Sequence, residues 1–94
     1  MSDGTKYDPA HIPWDAIEDL ARFMEAGAET RGFRNWETLG TNEFIKAIGR
    51  HYIEMMAEVV RGKDLRGTDH LQAIAANALI LLSKARTESD AKSK

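Results

Sequence analysis

Three side chains able to bind a metal ion or to move a proton are spaced to lie on one side of a helix. At 100° per residue, His51, Glu54 and Glu58 fall within an arc of about 60°. Glu54 and Glu58 are four residues apart, so their like charges repel each other on a bare helix. Mg²⁺ is commonly bound by one or two carboxylates together with substrate phosphates, and it would turn this repulsion into chelation. The spacing therefore indicates either an Mg²⁺ site or a solvated helix edge neutralised by Arg50 and Arg61.

A second line of polar residues occupies an otherwise apolar segment. His70, Asn77 and Lys84 are separated by seven residues each, which places them on one line of a helix. A buried amide without a partner costs about 1–3 kcal/mol, so Asn77 needs a hydrogen bond. It could bond a ligand, cap a loop backbone or pair within the core or across an oligomer. His70, near the helix start, could equally be a solvated residue.

A cluster of basic and aromatic residues lies between the first two predicted helices. Arg31, Phe33, Arg34, Asn35 and Trp36 fall in one short window. Guanidinium groups bind phosphate through paired hydrogen bonds, and flat aromatic rings stack on bases. The window therefore indicates a nucleotide site, although a tryptophan that only anchors the loop is the structural alternative. Lys6 and Tyr7 could add a cation and an aromatic ring from the N-terminal arm, unless that arm is disordered.

Periodic apolar residues predict three helices and no strand. The first begins at Pro13 and ends near Gly27, and an irregular segment or single short turn follows from 28 to 40. The other two are expected to start after N-capping side chains. These are Asn42, followed by a helix over 43–61, and Thr68, followed by a helix from Asp69 to about Ala85.

The third helix is apolar almost all round, which is typical of a buried helix. Two other helices of this size cannot surround it. We therefore expect an all-α bundle of about three main helices completed by homo-oligomerisation, with a dimer as the smallest solution. The chain of 94 residues is expected to form one domain, with a loose arm at about 1–8 and a loose tail at about 86–94.

Composition excludes several classes of protein. The chain has no cysteine, so it has no disulfide framework, thiolate zinc site or cysteine nucleophile. Its net charge of −2 offers no basic surface for a nucleic-acid polymer. No apolar run approaches the roughly 18 residues of a membrane span, and no secretory signal is recognisable. These features indicate a cytoplasmic protein with no membrane partner.

The order of several short motifs resembles a phage-encoded family described as the N-terminal domain of dATP/dGTP diphosphohydrolases. The motifs run from residue 6 to residue 82. In order they are Lys6-Tyr7-Asp8, Ile12-Pro13, Gly32-Phe33-Arg34-Asn35-Trp36, Arg50-His51, Gly62-Lys63-Asp64, His70-Leu71 and Asn77. The resemblance implies a fold akin to the all-α NTP pyrophosphatases, which are oligomeric, depend on Mg²⁺, and cleave nucleoside triphosphates into monophosphate and pyrophosphate.

On this resemblance, a first hypothesis is a purine (deoxy)nucleoside triphosphate diphosphohydrolase. The candidate Mg²⁺ ligands are Glu54, Glu58 and Asp64, and His51 or His70 would orient a phosphate or a water. The nucleotide itself would be bound by a further set of residues. Phosphates would contact Arg31, Arg34 or Lys63, the base would stack on Trp36 or Tyr7, and its edge would bond Asn35 or Asn77.

A second hypothesis is a phage-type anti-defence protein that sequesters a nucleotide-derived immune signal, such as a cyclic nucleotide, without hydrolysing it and without a metal cofactor. Two departures from the family pattern favour it. Arg31 precedes Gly32 where the family usually has tyrosine, and Arg66 precedes Gly67 in a turn that is usually acidic. Both changes add a cation that could neutralise phosphate. A purely structural oligomer is the third possibility.

Overall fold

The structure, a computed structural model, describes residues 6–65 and 68–92, with side chains described through residue 88. Within these residues the chain forms helices and turns and no strand, which confirms the all-α prediction. The elements in order are a 3-10 turn at Pro9–His11, α1 at Trp14–Arg31, a 3-10 turn at Asn35–Thr38, α2 at Thr41–Val60 and α3 at His70–Lys92. We name the second of these 3-10 elements the 35–38 turn.

The first helix is longer than the sequence predicts. We expected α1 to end near Gly27, but it continues to Arg31 and stops at Gly32, whose φ of 104° is open to glycine and strained for other residues. The helix passes through Gly27, where a Cβ atom would lie 2.6 Å from the end of the Arg31 guanidinium, a flexible group that can shift. The absence of a side chain at Gly27 leaves room for Arg31 to fold back along the helix.

The second helix begins two residues earlier than predicted. Gly40 is the residue at its N-cap and Thr41 is its first residue, so the prediction of Asn42 as the N-cap was wrong. No side chain caps this end. The C-terminal end agrees with the prediction to one residue. Val60 is the last helical residue, Arg61 caps the helix, and Gly62 follows with a φ of 97°.

The third helix starts later and ends later than predicted. It begins at His70, and Thr68, expected to be its N-cap, is fully buried and donates its hydroxyl to the Leu65 carbonyl. The helix continues past Ala85 to Lys92, so the tail expected to be loose from about residue 86 is helical through 92. No glycine or proline occurs between residues 86 and 92 to end it. Residues 1–5 of the expected loose arm, residues 93–94, and the departure at Arg66-Gly67 lie outside the described residues.

The core of the described region is small and centred on α3, which contacts both α1 and α2. Its buried apolar side chains are Phe44, Met55, Ala73, Ala76 and Ile80. The opposite side of α3 is not covered, and Leu82 on that side is 61% exposed. A single chain therefore does not bury α3 all round, and completion of the bundle by a second copy stays a prediction.

Among the helices that the structure describes, none has the length and apolar character that crossing a membrane requires.

Candidate functional site

A cleft of about 660 Å³ lies where the C-terminal half of α1 and the 35–38 turn meet α2 and α3. This volume is within the range of small-molecule sites. The floor of the cleft is apolar and includes Phe44, Ala73 and Ile80. Its polar lining brings together six residues from four elements, namely Arg31, Arg34, Asn35, Trp36, His51 and Asn77, and it also includes Arg50, Glu25 and Glu43. All six were candidates from the sequence, and only the fold shows that they share one cavity.

The 35–38 turn presents an arginine and a tryptophan as a joined pair. Arg34 precedes the turn in the left-handed conformation, with φ 50° and ψ 35°. Its guanidinium carbon lies 4.5 Å from the centre of the Trp36 ring, within the range of a cation–π contact. A second contact, 3.0 Å from Arg34 to the Glu37 carboxylate, fixes the same side chain. One face of the indole is therefore covered by a cation.

The cleft is lined by two further arginines, neither of which takes part in the contacts that Arg34 makes with Trp36 and Glu37. Arg31 lines it from the last turn of α1, close to Gly27. Arg50 lines it from α2. The sequence offered Arg50 as a counter-ion for Glu54 and Glu58 and as part of the Arg50-His51 motif, but not as a ligand-binding residue, so its place in the cleft was not predicted. Its position next to His51 in the sequence was the available signal.

Asn77 contributes to the cleft from α3, and its own helix satisfies part of its hydrogen-bonding capacity. Its Nδ2 donates to the Ala73 carbonyl at 2.8 Å. The oxygen of the amide is the group that can accept a bond from a ligand. Lys84 lies seven residues further along the same face of α3. Its Nζ donates to the Glu37 carbonyl at 3.5 Å, which links α3 to the 35–38 turn.

A cluster of two histidines and two glutamates lies beside the cleft, and we name it the His–Glu cluster. It consists of His51, Glu54 and Glu58 on α2 and His70 on α3. The two histidine Nδ1 atoms are 2.9 Å apart, and His70 Nε2 is 3.1 Å from Glu58 Oε2. Glu54 Oε1 is 3.5 Å from His70 Nδ1 and 3.8 Å from His51 Nδ1. His51 belongs to both the cleft and the cluster, so it connects them.

The hydrogen bonds of the cluster assign its protons when both imidazoles are neutral. An ionised carboxylate only accepts, so His70 Nε2 must carry the proton that faces Glu58. His70 Nδ1 is then an acceptor, and His51 Nδ1 must donate to it across the 2.9 Å contact. His51 Nε2 is consequently left without a proton. The series of hydrogen bonds from Glu58 through His70 to His51 thus leaves His51 Nε2 as a base.

The environment of His51 favours this neutral form. Burial lowers the pKa of the imidazole below its ordinary value of 6.5, and the charges of His70 and Arg50 lower it further. The Glu54 carboxylate acts in the opposite direction and does not outweigh them. His51 is therefore mostly neutral at pH 7.

The second oxygen of Glu58 is buried without a hydrogen bond. Lys63 Nζ lies 3.5 Å from this oxygen, close enough for ion pairing but without hydrogen-bond geometry. Lys63 was predicted to hold phosphate, and the structure places it against Glu58 instead of in the cleft lining.

The predicted Mg²⁺ ligands are not assembled as an oxygen-rich site. The group able to surround an ion is His51, Glu54 and His70, whose ligand atoms all lie within 4.8 Å of one another. Two of its three donors are imidazole nitrogens, whereas Mg²⁺ prefers oxygen. Asp64 is exposed and outside this group. Tyr7 is 85% exposed and is not part of the cleft lining.

Comparison with known protein families identifies the family of this chain. The model of the family described as "dATP/dGTP diphosphohydrolase, N-terminal" matches residues 1–94. This chain belongs to that family, as its motifs suggested. Among curated proteins and among solved structures, none matches the chain significantly.

Proposed function

We propose that the cleft binds a purine (deoxy)nucleoside triphosphate and that the chain hydrolyses it to the monophosphate and pyrophosphate. The observation that carries this proposal is the meeting of arginines, an aromatic ring, two amides and a histidine base in one cavity of nucleotide-site size. Membership of the dATP/dGTP diphosphohydrolase N-terminal family supports the nucleotide as ligand.

Trp36 is the candidate platform for the base. Arg34 lies against one face of its ring, so a purine would stack on the other face. Asn35 and Asn77 line the same cleft, and their amide groups can donate to and accept from the edge of a purine. Tyr7 is left without this role because it is not part of the cleft.

Arg31 and Arg50 are the candidate phosphate ligands. Both line the cleft, and guanidinium groups bind phosphate oxygens through paired hydrogen bonds. Arg50 is the neighbour of His51, so phosphates bound there would lie next to the histidine base. Arg34 would contribute charge while remaining stacked on Trp36.

His51 would activate the water. Its Nε2 accepts a proton as the water oxygen forms a bond to the α-phosphorus, and the bond from that phosphorus to the bridging oxygen breaks, releasing pyrophosphate. His70 accepts from His51 Nδ1 and donates to Glu58, so these two residues position the base and stabilise its charged form. Mg²⁺ stays a prediction, and in this proposal the triphosphate oxygens would supply its ligands in place of the predicted Glu54, Glu58 and Asp64.

Sequestration of a nucleotide-derived signal by a phage-encoded protein is a second candidate. It is favoured by Arg31 and Arg50, the two cleft arginines without an ion pair to the 35–38 turn, which can neutralise phosphate charge without a metal ion. Binding would then use the same Trp36 and Arg31 contacts, and the ligand would be released intact when the protein unfolds.

We also propose that the chain acts as a homo-oligomer in the cytoplasm. A stripe of exposed apolar side chains runs along α2, on a different side from the residues that pack on α3. Its members are Ile45, Tyr52, Ile53, Met56 and Val60. Val60 and Ile53 are 79% and 68% exposed. A contiguous apolar stripe of this kind marks a protein–protein contact.

Incubation with dATP, dGTP and cyclic nucleotides, with and without Mg²⁺, tests both functions. After heat denaturation, monophosphate and pyrophosphate in the supernatant support hydrolysis, whereas intact ligand recovered only after denaturation supports sequestration. Trp36→Ala is expected to reduce the amount of product formed, or of intact ligand recovered, at least tenfold. Trp14→Ala is the matched control, because Trp14 donates a hydrogen bond to the Pro9 carbonyl away from the cleft. Equal loss in both variants, or no bound nucleotide, would contradict the site.

A further inference from the structure

We propose that His51, Glu54 and His70 form a binding site for a first-row divalent transition-metal ion such as Zn²⁺. This inference does not depend on the nucleotide proposal, since it concerns the cluster beside the cleft and is tested without nucleotide. It also differs from the Mg²⁺ expectation, because the donors are two nitrogens and one oxygen.

The distances between the three donor atoms support it. His51 Nδ1, His70 Nδ1 and Glu54 Oε1 form a triangle with sides of 2.9, 3.5 and 3.8 Å. The circumradius of that triangle is about 2.0 Å, so one point lies at the Zn–N and Zn–O bond length from all three atoms. The three atoms are therefore spaced to reach one ion without movement of either helix, after the two imidazole rings turn their Nδ1 lone pairs from each other toward it.

The surroundings of His70 are those of a metal ligand. A ligating histidine commonly donates its other ring N–H to a carboxylate, which fixes the ring and raises its basicity. His70 Nε2 makes this contact with Glu58 Oε2 at 3.1 Å. Glu58 would thus support the site without touching the ion, and the other carboxylate, Glu54, would complete the ligand set.

The cluster is also accessible and of suitable charge. The Glu54 side chain is 49% exposed, so an ion and its remaining water ligands can reach the site from solvent. The ligands carry one negative charge when both imidazoles are neutral, which suits a divalent cation. On binding, the proton between the two histidines is displaced. His51 then carries its proton on Nε2, so an occupied metal site and the His51 base of the proposed hydrolysis are alternative states of the same imidazole.

The alternative is that the cluster is only a proton-sharing hydrogen-bond chain. In that case the 2.9 Å contact between the two Nδ1 atoms is a stable N–H···N bond and no ion competes with that proton. The two alternatives differ in the number of metal ions bound per chain and in the absorption spectrum with Co²⁺. Both quantities can be measured on the full chain without substrate.

The test uses tag-free full-length protein and Zn²⁺ or Co²⁺ as the probe. We expect one Zn²⁺ per chain by equilibrium dialysis, undisturbed by millimolar Mg²⁺, and a Co²⁺ complex with visible absorption bands. His51→Asn, His70→Asn and Glu54→Gln should each weaken binding at least tenfold. His11→Asn is the matched control, because His11 is exposed and lies outside the cluster. Glu58→Gln should weaken binding tenfold or more while leaving the stoichiometry at one.

Circular dichroism and the melting temperature show whether each variant is folded. Glu54→Gln keeps the test decisive if a histidine variant does not fold, because it changes only the charge and one donor of a half-exposed side chain. The proposal is overturned if the wild-type chain binds no Zn²⁺, or if Glu54→Gln and the folded histidine variants bind it like His11→Asn.

Discussion

His51 and His70 contact each other through their Nδ1 atoms at 2.9 Å, although they are 19 residues apart and belong to different helices. Their rings are tilted by 41° with centres 5.2 Å apart, so the contact is a directed hydrogen bond and not a stack. Through it, the cleft residue His51 is connected to the half-buried Glu58–His70 pair. This contact is the structural basis of the proposed base.

Substitution of His70 should impair hydrolysis more than binding. In His70→Asn, His51 loses its acceptor, so kcat is expected to fall by about 10- to 100-fold while KM changes little. The low-pH limb of the rate profile, set by the pKa of His51, should shift as well. His11→Asn serves as the control. An unchanged pH profile with a reduced rate would indicate a purely structural role for His70.

Removal of a cleft arginine should weaken binding. Arg31→Ala is expected to raise the Kd for the nucleotide about tenfold, equivalent to about 1.4 kcal/mol, because one charge-assisted phosphate contact is lost. Arg61→Ala removes an equally basic residue that caps α2 outside the cleft lining. Isothermal titration calorimetry of the two variants distinguishes a specific contact from a general effect of charge. Equal Kd values would exclude Arg31 from the site.

His51 should make the stability of the fold depend on pH. Its pKa is lower in the folded chain than its ordinary value of 6.5, so the unfolded chain binds more protons at intermediate pH. The contribution of His51 to stability is therefore fully present above about pH 6.5 and is lost as the pH falls toward the folded pKa. Urea unfolding between pH 5.5 and 7.5 should show this slope, and His51→Asn should reduce it. An NMR titration of His51 with a midpoint at or above 6.5 would contradict the prediction.

Gly32 should be less replaceable than Gly40. Gly32 ends α1 with φ 104° and ψ 152°, a conformation that side chains disfavour, so Gly32→Ala is expected to destabilise the fold by about 1–3 kcal/mol. Gly40 has φ −75°, and no neighbouring atom lies within 4 Å of the position that a Cβ would take, so Gly40→Ala should be neutral or slightly stabilising. Thermal unfolding of both variants compares conformational strain at otherwise similar glycines. A melting temperature for Gly32→Ala that equals the wild-type value would contradict the assignment.

A charge on the exposed stripe of α2 should disrupt self-association. Val60→Asp and Ile53→Asp are expected to shift the particle to a monomer in light scattering, since each buries a carboxylate in an apolar contact. Ile12→Asp is the control, because Ile12 is exposed next to the first 3-10 turn, away from the stripe. A wild-type chain that is monomeric at all concentrations would rule out the oligomer.

The sequence predicted the helices well because their apolar periodicity is a local property. It correctly indicated the all-α fold, the order of the three helices and, to within one residue, the end of α2 before Gly62. The predicted end of α1 and start of α2 were wrong, because more than one local signal is present at each of these boundaries. Gly27 resembled a helix stop, yet the helix passes through it, and Asn42 resembled an N-cap although the helix had already begun.

The sequence also identified most of the candidate site residues, because their types are unusual for the segments in which they occur. It could not show which of them share a site, since that depends on how α2 and α3 face each other. Packing of these helices divided the candidates into a cleft with Arg31, Trp36 and Asn77 and a cluster with Glu54 and His70. The pairing of imidazoles with carboxylates follows from distances of about 3 Å between two helices, which no spacing along one chain can encode.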